Sequence, residues 1–469
     1  MRAWLIFWIQ VFDVTVLLYF VAINSLYLLY TIIAFFRLRA HRRRWTTRSL
    51  EAVMRSPATP GISLIAPAYN EEATIVESVR SLMMLNYPQF EIVIVNDGSV
   101  DKTLEIAAAE FDLVRAPVRH EQPITTKPVR GVYRSLSSSN VVLIDKDNGG
   151  KADAMNAGIN AARYPLVCVM DADSLLEEHA LSAVVLPFLE DPSTIASGGI
   201  IRIANGCRVE HGRVTDVRVP SSRIAAFQVV EYLRAFLSGR VAQSAMNWLM
   251  IVSGAFGLFR RDAVVEAGGF RHDTIGEDME LVVRLHRRFR EQRRPYRIVF
   301  QPDPVCWTEA PESATILGNQ RNRWQRGTMQ VLNYHRRMIG NPRYGIIGLV
   351  AMPYYLIFEA IGPLVETAGY VITAIAIALG FIDVLFAELF FVSAVLYGTL
   401  ISVSAVLLEE ISFRRYPRMT DLLRLCAYGV FENFGYRQMT AWWRFWGIID
   451  YFRGRQGWGA MTRKGFARP

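Results

Sequence analysis

Residues 141–173, VVLIDKDNGGKADAMNAGINAARYPLVCVMDAD, decide how the chain is read. An apolar run, Val141–Ile144, gives way to a polar glycine turn, Asn148-Gly149-Gly150. Lys151 then opens a helical pattern, and a second apolar run, Leu166–Met170, ends on Asp171-Ala172-Asp173. A strand, a helix and a strand in that order make one crossover unit of a parallel sheet, with ligand loops at the C-terminal ends of the strands. The theme extends upstream, where Ile62–Ala66 and Glu91–Val95 are β-rich runs, each followed by a polar turn and a helical pattern. Residues 61–340 are therefore expected to form a mostly parallel α/β domain. Its polar clusters, Tyr69-Asn70-Glu71-Glu72, Asn96-Asp97-Gly98-Ser99 and Asp171-Ala172-Asp173, should collect where the strands end.

Both flanks of this domain are apolar. Residues 1–36 read as a transmembrane helix, since Val14–Phe36 alone would cross a bilayer core of about 30 Å at about 1.5 Å per residue. Residues 37–60 read as a basic juxtamembrane linker that begins with Arg37, Arg39, Arg42, Arg43, Arg44 and Arg48. The positive-inside rule then puts the N-terminus outside and the α/β domain in the cytoplasm. Further on, 345–358 predicts an interfacial helix and 361–408 two transmembrane helices. Residues 414–469 predict an interfacial or re-entrant segment, rich in Trp, and a basic cytoplasmic tail. The expected setting is a bacterial-type plasma (inner) membrane, crossed several times, with the lipid bilayer as a partner and the catalytic domain in the cytoplasm.

Composition agrees. The chain has 469 residues, 52% of them hydrophobic and 20% charged, with a mean hydropathy of +0.19. That excludes a disordered, collagen-like or disulfide-stapled protein. The net charge of +9 is carried almost wholly by arginine, lysine occurring only at positions 102, 127, 146, 151 and 464. No Cys/His finger, basic zipper or RNA-binding aromatic signature accompanies that charge, so nucleic acid is not expected as a partner. The cysteines, at 168, 207, 306 and 426, form no CxxC pair and no metal spacing, which fits a reducing compartment. Apolar segments clustered at the two ends of a long soluble stretch are unlike a transporter built from repeats.

Five places can carry chemistry. Asp171 and Asp173 stand two apart at the end of a strand, so both carboxylates can converge, and hard oxygen ligands suit Mg2+ or Mn2+ held together with a phosphate. Alone, the same pair also reads as a solvated turn capping the next helix. Asp97 can accept from a ribose hydroxyl or a nucleobase N–H, and equally reads as an ordinary Asp-Gly turn. Lys151, at a helix start after two glycines, suits an anion, a place where the macrodipole does not favour a cation. Asp278, in Gly276-Glu277-Asp278, reads either as a general base for an acceptor hydroxyl or as one of the acidic residues common in a first helical turn. Finally, Gln320, Arg323 and Trp324 lie at i, i+3 and i+4 on one helical face. An amide, a guanidinium and an indole together suit a sugar ring and a diphosphate, though a core Trp flanked by solvated arginines is the plainer reading.

Taken in order, Ala66-Pro67-Ala68-Tyr69-Asn70-Glu71-Glu72, Asn96-Asp97-Gly98-Ser99, Asn148-Gly149-Gly150-Lys151, Asp171-Ala172-Asp173, Ser253-Gly254-Ala255-Phe256-Gly257, Gly276-Glu277-Asp278 and Gln320-x-x-Arg323-Trp324 cover residues 62–327. This ordered set resembles the processive family 2 membrane glycosyltransferases, the cellulose, chitin, hyaluronan and poly-N-acetylglucosamine synthases. The resemblance implies a Rossmann-like GT-A fold inserted between transmembrane helices, a UDP-sugar donor, Mg2+ or Mn2+, and inverting transfer to a growing β-linked polysaccharide. It carries Tyr69, Glu71 and Asp97 over to uridine recognition, with Lys151 and Asp171 also on the donor. It places Asp173 and Asp171 on the metal and makes Asp278 the catalytic base. Gln320, Arg323 and Trp324 become the grip on diphosphate and acceptor end. Gly276 departs from the family, which usually carries Thr there. The alternative activity is glycosylation of a membrane lipid, giving a glycolipid. Three spans are few for a polymer pore, so a homo-oligomer or a secretion partner is a further expectation.

The topology is testable with single cysteines at Ala3 or Lys464 in a cysteine-free background. An impermeant thiol reagent should label Ala3→Cys in intact cells and Lys464→Cys only after permeabilisation. The reverse pattern would invert the orientation.

Overall fold

The computed structural model describes residues 2–44, 56–117, 122–171, 174–210, 212–380, 384–455 and 457. Its strands are β1 (Ile62–Ala68), β2 (Phe90–Asp97), β3 (Leu113–Ala116), β4 (Val129–Ser135), β5 (Val141–Lys146), β6 (Leu166–Met170), β7 (Leu175–Leu176), β8 (Thr194–Ile203), β9 (Arg208–Glu210), β10 (Arg213–Asp216), β11 (Phe256–Arg260) and β12 (Arg297–Thr308). Ten of them form one sheet in the order β3-β4-β5-β2-β1-β6-β11-β8-β12-β7, and β9 and β10 pair separately as a hairpin. The apolar runs read from the sequence are β1, β2, β5 and β6. They lie side by side at the centre, all parallel, with Ile62 opposite both Phe90 and Leu166. These strands are buried almost throughout, as expected where helices cover both faces of a parallel sheet. The helix Lys151–Ala161 packs on β1 and β2.

The sheet as a whole is mixed, which corrects the expectation of a mostly parallel one. β3 and β4 extend it antiparallel on one side, and β11 enters between β6 and β8 antiparallel to both. The outer pair has one wet face, where Val114 of β3 and its partner Arg134 of β4 are exposed. Strands that are solvated on one side do not read as apolar runs.

Among the described residues three helices are long and apolar enough to cross a membrane: Phe7–Arg43, Ile347–Ala376 and Val384–Ser412. The first belongs to the helix Arg2–Arg44, which continues through much of the arginine cluster expected in the linker; residues 45–55 of that linker lie outside the described residues. The second begins at Ile347, so 345–358, read from the sequence as a separate interfacial helix, is instead continuous with the span that follows. Pro353 lacks an N–H, and the wider π-helical turns Ile347–Ala351 and Tyr355–Ala360 on either side carry the helix past it. After the third span come the helices Met419–Phe431 and Tyr436–Phe452. The latter is amphipathic, with Trp442 and Trp446 exposed and Ala441, Gly447 and Asp450 buried. Most of the basic tail beyond it, from 458 on, lies outside the described residues.

Buried ion pairs fasten the α/β domain to these helices. Arg202, at the end of β8, donates from Nη2 to both carboxylate oxygens of Glu409 at 2.8 Å, and both residues are buried. Arg234 pairs with Glu432, which also accepts from Ser402 at 2.6 Å and Arg437 at 2.6 Å. Removing one member of a buried pair strands the other's charge, at a cost of about 3–5 kcal/mol, whereas replacing both by apolar groups is close to neutral. Arg202→Met should therefore lower the melting temperature in detergent, and Arg202→Met/Glu409→Leu should recover most of the loss. Equal melting of the single variant and the wild type would show that the pair does not fasten the two parts.

Candidate active site

The loops after β1, β2, β5 and β6 meet at one end of the sheet. Asn70 has a positive φ of 56°, which brings its N–H within 3.0 Å of Ser99 Oγ while its Oδ1 accepts from Val100 N at 3.0 Å. Glu71 N–H donates to Thr103 Oγ1 at 2.8 Å. The loop after β1 is thus bonded to the loop after β2, leaving the Tyr69 ring half exposed and the Glu71 carboxylate beside Thr74.

Asp97 faces inward. Its Oδ1 accepts from Lys146 Nζ at 2.6 Å and Gly149 N at 3.0 Å, and its Oδ2 from Gly150 N at 2.8 Å. Lys146 is fully buried at the end of β5 and also reaches Asp153 Oδ1 at 2.6 Å and the Asp147 carbonyl at 2.5 Å. One ammonium between two carboxylates thus ties the end of β2, the end of β5 and the first turn of the helix Lys151–Ala161. Gly150, at φ 85°, makes the turn that lets its N–H point back to Asp97. Neither Lys146 nor Asp153 stands out from the sequence as a site residue. The available signal was a lysine closing an otherwise apolar strand, Val141-Val142-Leu143-Ile144-Asp145-Lys146.

The charged centre lies one turn further on. Lys151 Nζ is 2.5 Å from Asp171 Oδ1 and 3.3 Å from Glu277 Oε1. Burial disfavours its charge, but Asp171 and Glu277 outweigh that and hold the ammonium protonated above its usual range. Glu277 is pushed up by burial and by Asp278, against the pull of Lys151. Asp278 Oδ2 accepts from Gly254 N at 2.9 Å, and its Oδ1 from Met279 N at 2.7 Å. Asp173 lies outside the described residues.

A cavity of about 2150 Å3 opens over this centre. Glu71, Lys151, Asp171, Asp278, Gln320, Arg323 and Trp324 all line it, whereas Tyr69 and Asp97 do not. Gln320 and Arg323 are nearly buried; Trp324 is 45% exposed, with the Arg321 guanidinium 4.3 Å over its ring. A residue packed in a core would not show that much surface. From the centre the cavity runs to Tyr27 and Tyr30 of the first helix and to Tyr354, Tyr355 and Glu359 of the second span. Among the described residues lining it neither His nor Cys occurs, so the donor atoms these offer a metal are oxygens. That set fits a hard cation such as Mg2+ or Mn2+ and not Zn2+. Among the described residues no group of three or more His, Cys, Asp or Glu is placed to hold a metal by itself.

Residues 166–407, half of the chain, match the family described as glycosyl transferase family group 2, and residues 63–267 match glycosyl transferase family 2. The chain belongs to the family 2 glycosyltransferases. This glycosyltransferase is 30% identical over 273 residues to the poly-beta-1,6-N-acetyl-D-glucosamine synthase of Staphylococcus aureus (strain COL), a match covering 58% of this chain and 55% of that protein. It is 29% identical over 286 residues to the synthase of the same name from Staphylococcus epidermidis (strain ATCC 35984), covering 61% and 58%. The chain thus spans little more than half the length of these curated relatives. A solved structure of a mannosyltransferase from Pyrobaculum calidifontis, in complex with GDP-Man and Mn2+, aligns with a TM-score of 0.50 and 18% identity, covering 88% of this chain and 99% of that one. That likeness is one of fold: the mixed α/β core of this glycosyltransferase is GT-A-like, with added helices at both ends.

The inward-facing Asp97 has a measurable consequence. In donor-free protein, Asp97→Asn should cost about 1–3 kcal/mol, because Lys146 and the Gly149–Gly150 amides lose a charged acceptor while Asp153 still balances the ammonium. Thermal unfolding in detergent would read the loss. A variant that melts with the wild type and only binds donor more weakly would mean that Asp97 serves the nucleotide alone.

Proposed function

We propose that this glycosyltransferase moves N-acetylglucosamine from its UDP-sugar onto the end of a growing β-linked polysaccharide, with inversion at the anomeric carbon. The observation that carries the reading is that one cavity holds a carboxylate for the acceptor proton, Asp278, a cation for the donor phosphates, Lys151, and an exposed indole, Trp324. The choice of N-acetylglucosamine is taken from the names of the relatives above.

In this reading Asp278 takes the proton of an acceptor hydroxyl. The oxygen attacks the anomeric carbon from the face opposite UDP, the C–O bond to the diphosphate breaks, and UDP leaves with the bonding pair. Lys151 and Arg323 face the departing diphosphate. Asp171 and Asp173 would hold a divalent ion there, which when bound supplies charge neutralisation to the leaving group. Trp324 offers a flat face to the acceptor's terminal sugar, a contact worth about 1 kcal/mol beyond the area it covers. Glu71 and Tyr69 sit toward the nucleoside end. A second reading, transfer to a membrane lipid, is favoured by the cavity's reach to Tyr27 and Tyr30 on a candidate span.

Purified protein supplied with radiolabelled UDP-N-acetylglucosamine and Mn2+ or Mg2+ should release UDP and leave label at the chromatographic origin. EDTA should stop both reversibly. Asp278→Asn should lower turnover by about 10² or more while leaving donor binding intact. Label that migrates with organic solvent would establish the lipid reading, and near-wild-type turnover by Asp278→Asn would remove the base assignment.

A further inference from the structure

The helix Ala314–Tyr334 brings Gln320, Arg323 and Trp324 to the cavity. The same face continues past them, since Arg323, Gly327, Gln330 and Tyr334 follow at spacings of four, three and four. These later positions meet the segment leading to Asp278. At Gly327 the backbones of helix and loop touch: a β-carbon there would lie 3.1 Å from Gly276 N and 3.2 Å from Gly276 Cα. One turn on, Gln330 Oε1 accepts from Ile275 N at 2.8 Å and from Thr274 Oγ1 at 3.3 Å. A further turn on, Tyr334 OH donates to the Asp273 carbonyl at 2.8 Å. At the end of the helix, His335 Nε2 lies 3.1 Å from Glu280 Oε1, in the first turn of the helix Glu277–Glu291 that also carries Asp278. Residues 273–276 therefore run along the acceptor helix, contact by contact.

The departure at Gly276 fits this arrangement. A side chain at 276 would point at Gly327, whose Cα is 3.4 Å from the β-carbon position. The hydroxyl in this loop comes from Thr274, which accepts from Gly276 N at 3.3 Å and donates to Gln330.

We propose that Gln330 is a positioning residue for sugar transfer: by holding the Thr274–Ile275 backbone on the helix that carries Trp324, it sets the spacing between the Asp278 carboxylate and the acceptor. Base and acceptor platform then move as one body, because six residues of continuous helix, about 9 Å, separate Trp324 from Gln330. The inference rests on the roles proposed above for Asp278 and Trp324. It adds a residue outside the family motifs quoted above, in no contact with donor or acceptor.

The test compares Gln330→Leu, which keeps the bulk and removes the acceptor oxygen, with Gln330→Glu, which keeps an oxygen for Ile275 N. Gln330→Leu should lower the kcat of transfer roughly tenfold or more, since a misplacement of about 1 Å can cost about 10²-fold. Donor KM should stay within about twofold on the same argument. Hydrogen exchange of the amides at 274–278 should accelerate, and the rest of the protein should exchange as in the wild type. Gln330→Glu should restore both rate and protection. Wild-type kcat in Gln330→Leu would overturn the proposal. So would parallel loss of activity and melting temperature in both variants, which is what a merely structural residue gives. If the wild type transfers no sugar from UDP-N-acetylglucosamine, the functional reading fails instead. The exchange data then decide the tether alone, and unchanged protection at 274–278 in Gln330→Leu would refute it.

Discussion

The ammonium of Lys146, closed in between Asp97 and Asp153, is the interaction on which the rest of the site depends. It has no solvent contact, so its charge is tolerable only because both carboxylates and the Asp147 carbonyl surround it. The carboxylates belong to the end of β2 and the first turn of the next helix, and Asp97 in turn holds two backbone amides of the glycine turn. The position of Lys151, and through it of Asp171 and Glu277, follows from that turn. Charges of both signs thus stand at close range around Lys151. Here their spacing is set from below, before any donor arrives.

The arginine-rich composition carries a similar lesson. A net charge of +9 reads from the sequence as an affinity for anionic surroundings, and the exposed clusters at the helix ends agree with that. Yet Arg202, Arg321, Arg323 and Arg326 are buried. Arg202 and Arg321 pair with Glu409 and Glu231, and Arg326 donates to the Arg455 and Gly457 carbonyls. The planar, weakly hydrated guanidinium can make two directed bonds inside a protein, which an ammonium does less well. Part of the positive charge is thus construction material joining catalytic and membrane-facing elements.

The centre of the fold was legible from the sequence because β1, β2, β5 and β6 are apolar runs, each ending in a polar turn. What escaped had a physical reason in each case. β3 and β4 are wet on one face, so their apolar residues do not cluster. The segment 345–358 contains Pro353 and aromatics, which imitate an interfacial helix, and π-helical turns leave no mark in residue periodicity. Among the site residues, Lys151, Asp171, Asp278 and the Gln320–Trp324 face line one cavity, and it was the family resemblance, more than spacing, that put them together. Spacing could not tell which way Asp97 points, since that depends on Lys146, forty-nine residues away. Nor could it reveal Gln330 or His335, whose partners are fifty-five residues off in sequence.

The first helix supplies two tyrosines to the wall of the catalytic cavity, and Tyr30 lies against the rings of Trp248 and Tyr354 at 5.9 and 6.2 Å. Two more of its residues, Ala34 and Leu38, belong to the core that also contains β1 and β6. The boundary near residue 60 is therefore a boundary of composition and not of folding. Cutting the helix away would uncover core and open the cavity wall together. The apolar first helix and the intact wall of the cavity are thus one piece of this fold, so that a change made to the helix for its surroundings is felt inside the cavity as well.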